Sequence, residues 1–402
     1  MSRFEAPRGT HDILPSEQPA WQWVTEVLEE VCALYGYRRI DTPALEDTEL
    51  IVRTSGEGSD VVQKETYTFE DRGGRSLTLR PEATAPICRA YVEHGLHREP
   101  QPQKLYTIAP MWRYDRPQKG RYREHWQVSV EAIGSDDPAL DAELIQLYAE
   151  VLRRLGVTGW ELRLNSIGDS ACRPAYVERL SAWLDEHDDR LDDEARAKRQ
   201  TSPLRVFDVK SANVQAALQD APTIGESLCD ACREHFAAVR AYLDASGVPY
   251  VLTPTLVRGL DYYTRTTFEF HEGTQILGGG RYDGLIEAIG GPATPGIGFG
   301  AGIERLLLSI GERELEPPAV DVFFAFDGAP RADTLTLMAE LRRRGIACDT
   351  DYAGRSLKGQ LTQAGRLNAR ATVVVDAEGA RLRSEGSEER LTLDELRARL
   401  AG

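Results

Sequence analysis

Residues 277–302 hold ten glycines, and few folds can accommodate them. They come as Gly278-Gly-Gly280 before Arg281-Tyr-Asp-Gly284, then Gly290-Gly291, then Gly296-Ile-Gly298-Phe-Gly300-Ala-Gly302. Glycine weakens a strand interior, so a strand in which it alternates with apolar residues marks a place where a ligand approaches the backbone closely. Ile303-Glu304-Arg305 then reads as the start of a helix, which puts Arg305 where N–H groups already favour anions. Gly298-Phe-Gly300 offers two glycines of a dinucleotide-binding turn. The third glycine at the required offset is absent, as is the acidic partner about 20 residues on, which excludes that fold.

The 402 residues predict roughly two to three domains at about 150 residues each. No apolar run approaches the ~18 residues of a membrane span, and the N-terminus lacks the apolar core of a secretory signal. Six scattered cysteines fit reduced thiols and a cytoplasmic location. Apolar spacing predicts helices over 20–36, 82–95 and 138–155, and a hairpin of 66–70 with 75–79. Strands are expected at 104–114 and 125–134, flanking a polar loop. Residues 170–245 read as several helices, strand-like text resumes at 250–270, and Glu314 to Pro318 reads as a linker. Beyond it, strand (320–326), helix (332–344), a short segment (346–350), helix (355–368) and strand (371–375) predict a small α/β domain with a mixed or parallel sheet.

The loop Arg113-Tyr-Asp-Arg-Pro-Gln-Lys-Gly-Arg-Tyr-Arg123 carries five cations against one acid, in a chain whose net charge is −16. Guanidinium forks suit phosphate oxygens; the plain alternative is a solvated hairpin tip. Arg258-Gly-Leu-Asp-Tyr262-Tyr263 sets a cation beside two phenols after an apolar strand, and its alternative is an ordinary strand edge. Cys229-Asp-Ala-Cys232-Arg-Glu-His235 resembles half a zinc site. A structural zinc needs four ligands and there is no second cysteine pair, so a helical segment with two ordinary cysteines is expected and no metal ligand is assigned. The acidic total argues against nucleic acid. Residues 98–125, however, hold seven basic side chains against three acidic, and 319–402 hold thirteen of each, so local contact with RNA is compatible.

Taken together, Pro7-Arg-Gly-Thr-His-Asp-Ile, Thr78-Leu-Arg-Pro-Glu82-Ala-Thr84-Ala, the loop from Arg113 to Gln127, Leu256-Val-Arg258-Gly-Leu-Asp-Tyr-Tyr263, Gly278-Gly-Gly-Arg-Tyr-Asp-Gly284 and Gly298-Phe-Gly-Ala-Gly-Ile-Glu-Arg305 resemble the histidyl-tRNA synthetases, class II aminoacyl-tRNA synthetases. The strings occur in family order across about residues 6–310. The resemblance implies an α+β fold: a six-stranded antiparallel catalytic sheet flanked by helices (1–169 and 251–313), a helical insertion (170–250) and a small C-terminal α/β anticodon-binding domain (319–402). It implies a cytoplasmic homodimer that joins L-histidine to ATP, with Mg²⁺, and passes the acyl group to the 3′ end of the histidine tRNA. The non-catalytic regulatory subunit of ATP phosphoribosyltransferase shares the fold and is the alternative.

Carried over residue by residue, Glu82, Thr84 and Gln127 match positions that hold the substrate ammonium. Glu131 and Tyr263, with Tyr262 beside them, match the imidazole side. Arg113 matches an α-phosphate ligand, and Arg258 one shared by that phosphate and the substrate carboxylate; these two are the implied catalytic cations. Arg121 and Arg305 match γ-phosphate ligands, and Arg116 and Gln118 match residues at the tRNA acceptor end. The sequence departs from the common family pattern at Ala83, Asp115, the pair His125-Trp126 and the turn Ala377 to Arg383.

Overall fold

The structure is a computed structural model that describes residues 4–56, 59, 61–311, 313, 315, 319–329, 331–384 and 387–401. Most of the expected linker at 314–318 lies outside them. The chain divides into two compact units, Met1–Arg313 and Glu314–Gly402.

The first unit is built on a mixed sheet. Its six central strands are antiparallel: β1 (Gln103–Trp112), β2 (Glu124–Ile133), β3 (Glu161–Ser166), β4 (Thr264–Glu272), β5 (Thr274–Arg281) and β6 (Gly296–Gly302), in spatial order β1-β2-β6-β5-β4-β3. Each outer edge carries one two-residue parallel strand, Arg38–Arg39 beside β1 and Val251–Leu252 beside β3. The six-stranded expectation therefore holds for the antiparallel part, and the sheet is eight strands wide. A three-stranded sheet of Leu45–Asp47, Tyr67–Glu70 and Ser76–Leu79 extends the expected hairpin by one strand.

One face of the large sheet is apolar and covered. Val128, Val130, Phe268, Phe270, Ile297 and Phe299 pack against α1 (Gln18–Leu34), α2 (Pro138–Arg154) and α3 (Asp230–Ser246). Tyr148 of α2 meets Phe270 and Phe299 edge to face, with ring centres 5.1 and 5.5 Å away. Asp137 caps α2 by accepting from the Ala139 N–H at 2.9 Å, ahead of a proline at the first turn. The helical stretch from 170 has its own core, including Tyr176, Leu180, Val206, Val214 and Cys232. The last of its helices, α3, leaves that core and places Val239 and Leu243 in the core of the large sheet.

One sequence expectation is corrected here, and another holds and is extended. Residues 253–263, read as part of a strand region, form a loop, so Arg258 to Tyr263 precede a strand rather than follow a long one. Pro254 sits at the break, where it has no N–H for a ladder. The second unit has a five-stranded mixed sheet in the order Cys348–Thr350, Val322–Phe326, Ala371–Asp376, Gly379–Ser384, Ser387–Leu391. The first three strands are parallel, as expected, but the last two form antiparallel pairs and are followed by a helix, Leu393–Ala401. The strand Ser387–Leu391 reads Ser-Glu-Glu-Arg-Leu and is almost wholly exposed, so it carries no apolar alternation to find.

Arg281 ties the first unit together. Its guanidinium is fully buried and paired with the fully buried Asp141 of α2, which also receives His235 Nε2 of α3 at 2.8 Å. Burial works against the Asp141 charge, but His235 and Arg281 outweigh it and hold the carboxyl below its ordinary range. Removing one partner of such a pair strands the other in low dielectric. Arg281→Met is expected to cost about 3–5 kcal/mol of stability, read by urea denaturation; a loss below 1 kcal/mol would refute the role given to this pair.

Candidate active site

Directly paired residues of adjacent antiparallel strands project to the same face of a sheet. The register pairs Gly278 with Gly300 and Gly280 with Gly298, so four glycines make a bare patch at the centre of the face opposite the large core. Around it the same face carries Glu131 and Ser129 from β2, and Thr267 and Glu269 from β4. The missing side chains are needed for space. A Cβ on Gly298 would lie 1.8 Å from Glu131 Oε2, one on Gly300 2.6 Å from Gln127 Nε2, and one on Gly278 2.2 Å from an Arg258 guanidinium nitrogen.

Over this floor lies an open cleft with a cavity volume of about 220 Å³. Four arginines reach it from three segments: Arg113 and Arg121 from the 113–123 loop, Arg258 from the 253–263 loop, and Arg305 from the helix Ile303–Ile310. Arg113 Nε donates to the Pro81 carbonyl at 2.8 Å, and Arg305 Nε to the Gly120 carbonyl at 3.1 Å. Arg121 pairs with Asp115, and Arg258 with Glu269, whose other oxygen meets His271 Nε2 at 2.8 Å. Burial opposes the Arg258 charge, yet Glu269 outweighs it and raises the pKa. Arg258 Nε is buried without a partner among the described residues. A donor left unspent in a cation-lined cleft is what an anionic ligand would take up.

The far end of the cleft is hydroxyl- and carboxyl-rich. Tyr262 donates to Glu82 Oε2 at 2.9 Å, and the Ala85 N–H to Glu82 Oε1 at 3.1 Å. Thr84 donates to Glu131 Oε1 at 2.6 Å, and Tyr282 to Oε2 at 2.5 Å. Burial pushes the Glu131 carboxyl up to about 8, and it raises Glu82 as well. His125 is pulled down to about 3, by burial first and then by Arg113 and Arg305, so its ring is neutral at physiological pH.

Of the residues singled out in the sequence, Glu82, Thr84, Arg113, Arg121, Gln127, Arg258, Tyr262, Tyr263 and Arg305 line this one cleft. Glu131 is not exposed in it: its carboxyl lies over Gly298, fully buried and bonded to Thr84 and Tyr282. Arg116 and Gln118 are exposed at the tip of the 113–123 loop, away from the lining. Sequence reasoning missed Glu269 and Tyr282, the partners of Arg258 and Glu131. For Glu269 a signal exists: it sits between Phe268 and Phe270, so strand alternation turns it away from the apolar core.

A six-stranded antiparallel sheet with arginines convergent over a bare floor defines a class II aminoacyl-tRNA synthetase catalytic fold. The family model described as histidyl-tRNA synthetase matches residues 9–306. A histidine–tRNA ligase of Caldanaerobacter subterraneus subsp. tengcongensis is 47% identical over 384 residues, covering 93% of this chain and 92% of that one. One from Desulforamulus reducens is 48% identical, covering 92% and 91%. The solved apo histidyl-tRNA synthetase of S. aureus superposes with a TM-score of 0.83 at 36% identity, over the full length of both chains. The chain belongs to the histidyl-tRNA synthetase family.

The raised Glu131 carboxyl gives a stability test. The folded state binds the proton more tightly than the unfolded chain, so the parent loses stability from this group as pH rises from about 4.5 to about 8. Glu131→Gln carries no such proton. Its stability relative to the parent is expected to climb between pH 5 and pH 8 in parallel denaturant titrations, and a constant difference would contradict the assignment.

Proposed function

We propose that this enzyme activates L-histidine with ATP to histidyl-adenylate and transfers the histidyl group to the 3′ end of the histidine tRNA. The observation that carries this reading is the convergence of Arg113, Arg121, Arg258 and Arg305 on one end of a cleft whose other end is lined by carboxyl, amide and hydroxyl groups. Fixed cations stabilise charge at phosphorus while the histidine carboxylate attacks the α-phosphorus in line and pyrophosphate leaves. Arg258, lying flat on Gly278, is placed to be shared between the carboxylate and the α-phosphate, and Arg113 to hold that phosphate from the opposite wall. Arg121 and Arg305 take the γ-phosphate. The neutral His125 ring is available to stack on adenine.

At that other end, Glu82, Thr84 and Gln127 supply acceptors for the substrate ammonium. Tyr263 and, over Gly298, Glu131 serve the imidazole, with Tyr262 setting Glu82 beside them. A pocket built on such hydrogen bonds rejects side chains that leave them unmade. Mg²⁺ keeps several waters and takes one or two carboxylates plus substrate phosphates. Asp115 and Glu304 line the phosphate end, and the raised Glu304 carboxyl (about 7, from burial) can ionise beside a cation, so both fit an ion arriving on the nucleotide. There it would neutralise phosphate oxygens.

The exposed Arg116 and Gln118 extend this reading to the tRNA acceptor end, and the C-terminal unit to the anticodon. A homodimer and a cytoplasmic location follow the family relationship. Among the described residues no helix is long and apolar enough to cross a membrane. The regulatory-subunit alternative shares the fold, and the likeness to a Bacillus halodurans structure described as an ATP phosphoribosyltransferase regulatory subunit/histidyl-tRNA synthetase, at 24% identity, shows the fold alone. The four retained arginines and the ligase names of the close relatives favour the enzyme.

Purified protein with ATP, Mg²⁺ and histidine is expected to exchange labelled pyrophosphate into ATP, and exchange independent of histidine would defeat the proposal. Arg258→Ala should cut that exchange by about 10²–10³-fold with the fold retained, as loss of one preorganised donor does. Gly278→Ala should act in the same direction by displacing Arg258, whereas Gly284→Ala, where a Cβ meets nothing within 4 Å, should leave exchange near the parent rate. Equal rates for the two glycine variants would sink the floor argument.

A further inference from the structure

The structure brings a second pair of ligands to the Cys229-Asp-Ala-Cys232 pair that the sequence leaves alone. Asp169 and Cys172, sixty residues earlier, carry the same spacing, and the donor atoms of Asp169, Cys172, Cys229 and Cys232 all lie within 4.8 Å of one another. Cys172 Sγ is 3.9 Å from Cys232 Sγ and 3.4 Å from Asp169 Oδ1, and Cys229 Sγ is 3.9 Å from the same oxygen. A tetrahedral zinc with Zn–S of about 2.3 Å and Zn–O of about 2.0 Å sets S···S near 3.8 Å and S···O near 3.5 Å. The Cys172–Cys232 and Cys172–Asp169 edges match those of such a tetrahedron, and the Cys229–Asp169 edge is somewhat longer.

We propose that Asp169, Cys172, Cys229 and Cys232 form a structural zinc site that pins the root of the helical stretch to the catalytic sheet.

Local geometry favours a metal over other uses of these groups. Each pair opens a helix. Cys172 is the cap of Arg173–Glu186 and Cys229 that of α3, so both sit where thiolates are stabilised by the helix terminus. Cys172 and Cys232 are buried, and Cys229 and Asp169 are half-buried, so the cluster is shielded but has an entry side. A disulfide would need a sulfur separation of about 2.05 Å and would leave a third thiol over. Three thiolates select a soft or borderline ion over magnesium or calcium. Asp169 has its second oxygen 3.7 Å from Arg265 Nη2, which turns Oδ1 towards the sulfurs. That Oδ1 also accepts the Ala171 N–H at 3.0 Å, a contact that orients a ligating carboxylate. Gly168, at φ +64°, leaves the space that Cys172 Sγ needs, because a Cβ there would lie 2.5 Å from the sulfur. His235, the third candidate of the sequence motif, is not part of the site; it is bonded to Asp141.

The site adjoins the catalytic cleft through short links. Arg173, next to Cys172, donates to the Tyr263 carbonyl at 2.6 Å. Arg265 exchanges backbone hydrogen bonds with Ile167 and Gly168, both at 2.7 Å. A metal here fixes the segment that enters β4 behind Tyr262 and Tyr263.

The test is metal analysis of the full-length protein purified without chelator. Mass spectrometry of the metals is expected to find one zinc per chain, and replacement by Co²⁺ to give the intense visible bands of a tetrahedral thiolate-ligated ion. Cys229→Ser and Asp169→Asn should each lose the zinc and lower the melting temperature, while Cys348→Ser, in the other unit, should keep it. If a variant fails to fold, the parent still decides the matter through its zinc content and its cobalt spectrum. Protein that holds no zinc and gives no such cobalt bands, zinc that survives both ligand substitutions as an adventitious ion only, or a Cys172–Cys232 disulfide found by mass spectrometry each overturn the proposal.

Discussion

The bare centre of the large sheet is the constraint on which the rest of the first unit depends. Gly278, Gly280, Gly298 and Gly300 face one another across two strands, and the space they leave is filled by Arg258, Tyr263, Glu131 and Gln127. Glycine in a strand has an entropic cost and buries no side chain. The compensation lies on the opposite face, where Phe268, Phe270, Ile297 and Phe299 meet three long helices in a continuous core. The glycine face carries a second apolar cluster at its flank, where Ile87 and Tyr91 of the helix Thr84–Glu93 pack with Leu105, Ala109, Met111 and Ile133, so only its centre is left to be shaped for a ligand.

Electrostatics follows the same division. The chain is strongly acidic, yet its cleft gathers four arginines, and each is anchored before any ligand arrives. Two are fixed by carbonyls, Pro81 and Gly120, and two by carboxylates, Asp115 and Glu269. Anchored cations need no reorganisation when negative charge develops between them. The acidic remainder of the surface repels RNA in general, so on the proposed reading the tRNA is engaged at a few basic places, of which the 113–123 loop is one.

Much of this was legible in the sequence because the chemistry demands rare local patterns. Alternating glycines, five cations in an eleven-residue loop and Arg258 beside two tyrosines stand out at any single position. What stayed hidden depends on contacts distant in sequence. Asp169 and Cys172 are unremarkable until the fold sets them beside Cys229 and Cys232, because a search for paired cysteines passes over a pair that is half aspartate. Tyr282 was visible only as part of a glycine-rich string, and its hydroxyl finds Glu131 across 151 residues. The hairpin at 379–391 escaped for the opposite reason: its outer strand is charged and exposed, and backbone pairing alone makes it a strand.

The glycine floor and the charge network meet in the Arg258–Glu269–His271 chain. A buried guanidinium without a counter-ion would be expensive, and Glu269 removes that cost in the empty cleft. Burial alone would raise the Glu269 carboxyl, but His271 and Arg258 together hold it low, so it stays charged over the working pH range. An arriving carboxylate or phosphate then does not have to create the cation or orient it. It has only to share a guanidinium already flattened against Gly278 with its Nε unspent. Glu269 retains His271 as a second partner while it does so. The glycine floor and the charge network are therefore one device: the first gives Arg258 a place to lie, and the second keeps it ionised there.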